Sequence, residues 1–119
     1  MGKESKFSRK VVEYLKAKGA VVNVNTATIY DRVGRSDIEA CYEGHYLALE
    51  LKTGNYAPDP LQLRYLQEVR QAGGYGLLLR DTLDDLEELL NYLDNWDTVD
   101  YVEPELPDIN YDELRIEYD

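Results

Sequence analysis

The sequence predicts an α/β fold, a central mixed β-sheet flanked by helices in the order α-β-β-β-α-β-α. Three observations carry that expectation. Three segments repeat apolar residues every three or four positions, and short runs rich in Val, Leu and Ile lie between them. Two of those runs are separated only by Glu43-Gly44, a hairpin spacing. The last two runs bracket a helical segment, read as a crossover helix feeding the last strand.

Taken in order, Lys6 to Lys18 reads as an amphipathic helix with Phe7, Val11, Val12, Tyr14 and Leu15 on its apolar side and Gly19 as its stop. Ala20 to Asn25 (AVVNVN) reads as a strand, and Thr26 to Arg35, aperiodic and containing Gly34, as a loop. Ser36 to Tyr42 and His45 to Lys52 form the hairpin, its second turn position filled by glycine, which tolerates positive φ. Thr53 to Asp59 is a loop. Asp59-Pro60 then opens a helix, with Asp59 as N-cap and Pro60 at the first helical position. Leu61, Tyr65, Leu66 and Val69 mark its buried stripe up to Gly73-Gly74. Tyr75 to Arg80 (YGLLLR) is a short buried strand. Asp81 to Leu93 is a third helix, with Leu83, Leu86, Leu89, Leu90 and Leu93 inward. The expected organisation is one domain, residues 1–94, followed by an acidic tail, 95–119, too rich in Tyr, Trp and Ile to be purely solvating.

At 119 residues, 44% hydrophobic and 31% charged, the composition fits one soluble globular domain rather than a disordered chain. No apolar run is long enough to span a bilayer and the start does not resemble a signal peptide, so the expectation is a cytoplasmic protein without a membrane partner. The single cysteine, Cys41, forms no internal disulfide. A net charge of −11 argues at first against a partner made of phosphates. The distribution changes that. Residues 1–80 hold 12 Lys/Arg against 9 Asp/Glu, a balance of +3, whereas residues 81–119 hold only Arg115 against 15 Asp/Glu, a balance of −14. The acidity therefore belongs to the last third.

Chemistry concentrates on the strand His45 to Lys52 (HYLALELK). Alternation puts His45, Leu47, Leu49 and Leu51 on one face and Tyr46, Ala48, Glu50 and Lys52 on the other, where small Ala48 leaves room. Glu50 and Lys52 are then about 6.5–7 Å apart along the strand. The hairpin brings Asp37, near the start of one strand, toward Glu50, near the end of its antiparallel partner. Two carboxylates and a backbone carbonyl between Glu50 and Lys52 form a hard-oxygen set suited to Mg²⁺. Such a cation polarises a phosphate and activates water, and Lys52 is placed to stabilise developing charge.

Gly34-Arg35-Ser36-Asp37-Ile38, then Glu50-Leu51-Lys52, then Gln62, resembles the motif series of the PD-(D/E)XK nucleases, and most closely their VRR-NUC branch of small phage and bacterial nucleases. Glu4, ahead of Leu15 and Gly19, and the pair Gly73-Gly74 before Tyr75 to Arg80 extend the likeness over about residues 4–93. The resemblance implies a restriction-endonuclease-like fold and metal-dependent hydrolysis of DNA phosphodiesters. It further implies Asp37, Glu50 and the Leu51 carbonyl as ligands of Mg²⁺ or Mn²⁺, Lys52 assisting the attacking water, Glu4 aiding metal or water, and Gln62 orienting water or phosphate. Stand-alone members of the branch resemble Holliday junction resolvases, which implies branched or four-way junction DNA and a homodimer in a bacterial or phage-infected cell, since a four-way junction is two-fold symmetric. Ser36 stands where many members carry proline.

Competing readings stand beside these. Glu50 and Lys52 alone are also what a solvated strand carries, and Asp37 is also what a turn carries after Gly34. Glu4 also suits a helix start, with Glu13 its rival for the acidic role on the first helix. Arg32 and Arg35, flanking the active-site loop, with Lys6, Lys10 and Arg64, are the candidate DNA contacts, within a wider basic set of Lys3, Arg9 and Arg70. Tyr30 and Tyr56 are candidates for stacking on bases, and His45 reads as a surface residue. The functional alternative is a non-catalytic nucleic-acid or protein binding module, its acidic tail acting as a DNA mimic, an autoinhibitory segment or a dock for a cationic partner.

Overall fold

A computed structural model describes residues 2–25 and 36–109. Its elements follow the expected order: α1 (Lys3–Ala17), β1 (Val21–Val24), β2 (Ile38–Tyr42), β3 (His45–Lys52), α2 (Pro60–Gln71), β4 (Tyr75–Arg80) and α3 (Asp84–Asp94). The sheet is mixed, with strands in the order β1-β2-β3-β4. β1, β2 and β3 are antiparallel neighbours, and β4 runs parallel to β3 because α2 carries the chain across between them. The hairpin turn takes positive φ at both Glu43 (49°) and Gly44 (81°), the geometry whose twist matches two antiparallel strands. Residues 26–35, read above as a loop, lie outside the described residues.

The sheet is covered on both faces. On one, Phe7, Val11 and Leu15 of α1 and Leu86, Leu89, Leu90 and Leu93 of α3 pack over Leu47, Leu49, Leu51, Leu77 and Leu79. On the other, Leu66 and Val69 of α2 pack over Ala48. Two positions let α2 approach so closely. Ala48 is fully buried, and its register partner Gly76 has no room for a side chain, since a Cβ there would meet the Leu66 carbonyl oxygen at 2.6 Å. Ala48 is thus a seat for a helix, not the open space expected beside Glu50.

Several boundaries differ from the sequence reading. β1 and β2 are shorter than read, Val21–Val24 and Ile38–Tyr42, so Ser36 and Asp37 precede β2. α1 starts at Lys3, placing Glu4 in its first turn, where an acid complements the helix dipole. α3 starts at Asp84, because Asp81 adopts φ 64° and its carboxylate accepts the Gly54 N–H at 3.1 Å, which holds Asp81 outside the helix. Arg80 braces the same segment after β3, donating to the carbonyls of Gly54 and Tyr56, each at 2.8 Å.

Beyond α3, residues 95–109 form no helix or strand but pack on the domain. Tyr101 stacks on Tyr92 at 5.0 Å and meets Tyr75 edge-on at 6.5 Å. Glu103 pairs with Arg70 at 2.5 Å, and Leu106 joins the apolar cluster under α2. The first part of the acidic segment is therefore a strap, fixed by aromatic and aliphatic anchors. Residues 110–119 lie outside the described residues.

Candidate active site

The register of the sheet assembles the site. Val24 pairs with Ile38 and Ile38 with Leu49. One step further along, Asn25, Asp37 and Glu50 stand in a row across β1, β2 and β3, and Glu50 pairs onward with Leu78 of β4. Directly opposed residues on antiparallel strands have Cβ atoms about 4.5–5.5 Å apart, so two carboxylates are brought together by backbone pairing alone. The Asp37 carboxylate is fixed by the Leu51 N–H, which donates to its Oδ2 at 2.8 Å. Asp37 lies just past the last β2–β3 pair, and there its side chain, rather than the β2 backbone, takes up the Leu51 amide.

Glu50 is wholly buried. Neither of its oxygens has a hydrogen-bond partner among the described residues, and Lys52 Nζ lies 3.6 Å from Oε2. Burial pushes its carboxyl up to about 8; the adjacent Asp37 charge adds to the rise and Lys52 opposes it. A buried carboxylate without donors is costly unless something cationic satisfies it. The lone pairs of Glu50, the neighbouring Asp37 and the hard-oxygen character of both fit a divalent cation. Among the described residues no third acidic or imidazole side chain completes a protein-only cage. Mg²⁺ ordinarily takes one or two carboxylates and keeps several waters, so two carboxylates and a carbonyl suffice.

Asp37 and Leu51 also line an open cleft of about 740 Å³ against α1. Glu4, Ser5, Ser8, Arg9, Val12, Glu13 and Lys16 form its α1 wall, and Val24 and Asn25 its β1 wall. Glu4 and Glu13, the two rival acids, thus share one cleft with Asp37. The basic residues of α1 on this wall are Arg9 and Lys16; Lys6 and Lys10 are exposed and are not among its lining residues. Arg64 is exposed on α2, 3.9 Å from Glu68. Gln62 takes part in a capping box: Asp59 N donates to its Oε1 at 3.4 Å while the Asp59 carboxylate accepts from the start of α2. Tyr56 is exposed beside the braced segment after β3, and His45 packs edge-on against Tyr75 at 5.8 Å. Arg32, Arg35, Gly34 and Tyr30 lie outside the described residues.

The fold has solved counterparts. A structure titled "VRR_NUC domain" superposes with a TM-score of 0.63 at 23% identity, over 77% of this chain and 98% of that one. The fold is that of the VRR_NUC domain. A second structure of this kind is Archaeoglobus fulgidus Hjc, a Holliday junction resolvase from an archaeal hyperthermophile, with a TM-score of 0.50, 19% identity, and 64% of this chain and 66% of that chain covered. No family profile and no curated protein matches the sequence. Within this fold the two carboxylates and the lysine singled out from the sequence stand together. Sequence reasoning passed over Asn25, which looks like any polar residue at a strand end and whose partners lie 11 to 14 residues away.

Proposed function

We propose that this protein is a divalent-cation-dependent endonuclease that hydrolyses DNA phosphodiesters, with branched or four-way junction DNA as its preferred substrate. The reading rests chiefly on one observation: Glu50 is completely buried, with neither oxygen hydrogen-bonded among the described residues, directly across from Asp37 and beside Lys52. Asp37, Glu50 and the Leu51 carbonyl would hold Mg²⁺ or Mn²⁺. The bound cation supplies Lewis-acid charge to the phosphate and lowers the pKa of water. Asp37 is kept in place by the Leu51 amide, and Glu50 by close packing, so neither needs to reorganise. Lys52, one-fifth exposed at the mouth of this pair, offers its ammonium to the attacking water and to the negative charge that builds on phosphorus-bound oxygens. Glu4 and Arg9 border the cleft leading to Asp37, suited to positioning water and backbone phosphate respectively. Gln62, whose oxygen is engaged at the helix cap, retains two amide donors for phosphate or water. Arg32 and Arg35 are proposed as further DNA contacts, and a homodimer would match the two-fold symmetry of a junction.

The test is cleavage of labelled four-way junction, flap and linear duplex DNA by wild type and Asp37→Ala in Mg²⁺, Mn²⁺ and EDTA. Cation-dependent cutting by wild type that disappears in the variant is expected. No cutting of any substrate by folded, cation-loaded protein would overturn the reading.

A further inference from the structure

We infer that Asn25 is the positioning residue of this site, setting the orientation of Asp37; the inference rests on the reading of Asp37 and Glu50 as a divalent-cation pair. The direction of a side chain is fixed by the two peptide planes that flank its Cα. For Asp37 these are the planes carrying the Ser36 carbonyl and its own carbonyl. Asn25 holds both. Its backbone N–H donates to the Asp37 carbonyl at 2.9 Å, and its side-chain Nδ2 donates to the Ser36 carbonyl at 2.7 Å. The second hydrogen of that amide goes to Glu39 Oε1, also at 2.7 Å. Both amide hydrogens are therefore used, and the remaining oxygen accepts from Asn23 Nδ2 at 2.9 Å.

These bonds do two things that the strand ladder does not. β1 pairs regularly with β2 only as far as Val24 and Ile38, so the chain at Asp37 would otherwise lie beyond the sheet. Asn25 extends its hold by one residue. It also ties the Glu39 carboxylate, which shares the β2 alternation of Asp37, to β1. Only an amide carries two donors at that reach. Aspartate is isosteric but would turn oxygens toward a carbonyl and a carboxylate.

That last point gives a test in which the sign separates two explanations. Asn25→Asp adds a negative charge one strand away from Asp37. If Asn25 had no positioning role, the added charge would hold a cation more tightly. Positioning demands the opposite. Mn²⁺ affinity of the full chain is measured by titration calorimetry for wild type, Asn25→Asp, Asn25→Ala, Asn23→Ala and Asp37→Asn, with thermal melts and junction-cleavage kinetics alongside. Partners that orient metal ligands typically carry 10–100-fold in affinity or activity. Asn25→Asp is expected to bind Mn²⁺ at least about 10-fold more weakly and to lose kcat by a similar factor with KM little changed. Asn25→Ala should fall between it and wild type. Asn23→Ala, an exposed change that leaves every Asn25 donor in place but frees the amide oxygen, should weaken binding a few-fold without lowering the melting temperature. Affinity of Asn25→Asp equal to or above wild type, with Asp37→Asn losing binding, overturns the positioning role alone. Wild-type affinity in Asp37→Asn overturns the cation-site reading beneath it.

Discussion

Replacing Glu50 by glutamine should make the cation-free protein more stable as pH rises, although it removes the carboxylate proposed to do the chemistry. In the folded chain burial lifts the Glu50 carboxyl to about 8 from an ordinary 4.5. Between those values the folded state binds the proton and the unfolded state does not, so wild-type stability falls as pH rises through the window and levels off above about 8. At about 1.36 kcal/mol per pH unit the loss approaches 5 kcal/mol above pH 8 and about 3 kcal/mol at pH 7. Glutamine does not titrate, but its buried amide lacks the same partners, at a cost of about 1–3 kcal/mol. Glu50→Gln is therefore expected to be neutral or slightly destabilising at pH 5 and stabilising at pH 9. The difference between variant and wild type should move by up to about 4 kcal/mol, and at about 4 °C per kcal/mol that is about 15 °C. Thermal melts of both proteins in EDTA, at one-unit steps from pH 5 to 9, measure it. Excess Mg²⁺ should raise the wild-type Tm and leave the variant nearly unmoved. A difference that is flat in pH, or that shrinks toward pH 9, would refute the claim that Glu50 is a buried, unsatisfied acid.

Gly76→Ala should lower stability by about 1–3 kcal/mol, because a Cβ 2.6 Å from the Leu66 carbonyl oxygen forces α2 away from the sheet; an unchanged denaturation midpoint at unchanged slope would contradict this. Lys52→Met should reduce cleavage at least about 100-fold while junction binding measured in Ca²⁺ changes far less, and a parallel loss of both would move Lys52 from chemistry to binding. A chain ending at Ile109 keeps the Tyr101 and Leu106 anchors but loses Asp112, Glu113, Glu117 and Asp119 along with Arg115. It should bind duplex DNA a few-fold more tightly at low salt, with the gap closing as salt rises, and equal affinity at all salts would remove any autoinhibitory role from the last ten residues.

Much of this site was legible because it depends on register and alternation, which short sequences reveal. Glu43-Gly44 sets the hairpin, and the hairpin sets Asp37 against Glu50. Asp59-Pro60 fixes where α2 starts. The unread parts all depend on partners distant in sequence. Asp81 looks like an acid opening α3 until Gly54 claims its carboxylate. Ala48 looks like free space until Gly76 and Leu66 are seen to seat a helix there. The burial of Glu50 is invisible in HYLALELK, since an alternating strand with one charged face reads as half-solvated; the second cover comes from Leu66 and Val69 of α2. The residues from Asn95 read as an acidic tail too aromatic to be purely solvating, but which residues anchor it, Tyr101 and Leu106, shows only in the fold. A deletion starting at residue 95 would therefore strip packing as well as charge.

Both faces of β3 are covered and both its edges are paired, which ties the proposed chemistry to the slowest-opening part of the molecule. The amides of Leu47 to Leu51 should exchange with solvent deuterium only through global unfolding, whereas the edge strand β1, with Val21 and Val24 largely exposed, should open locally and far sooner. Of the proposed cation pair, Glu50 is therefore fixed until the whole fold opens, and only Asp37, held through Asn25, lies within reach of local opening at β1. Any control of the proposed turnover would act on approach to the cleft or at its β1 rim, where Asn25 joins the most easily opened strand to the segment that carries Asp37.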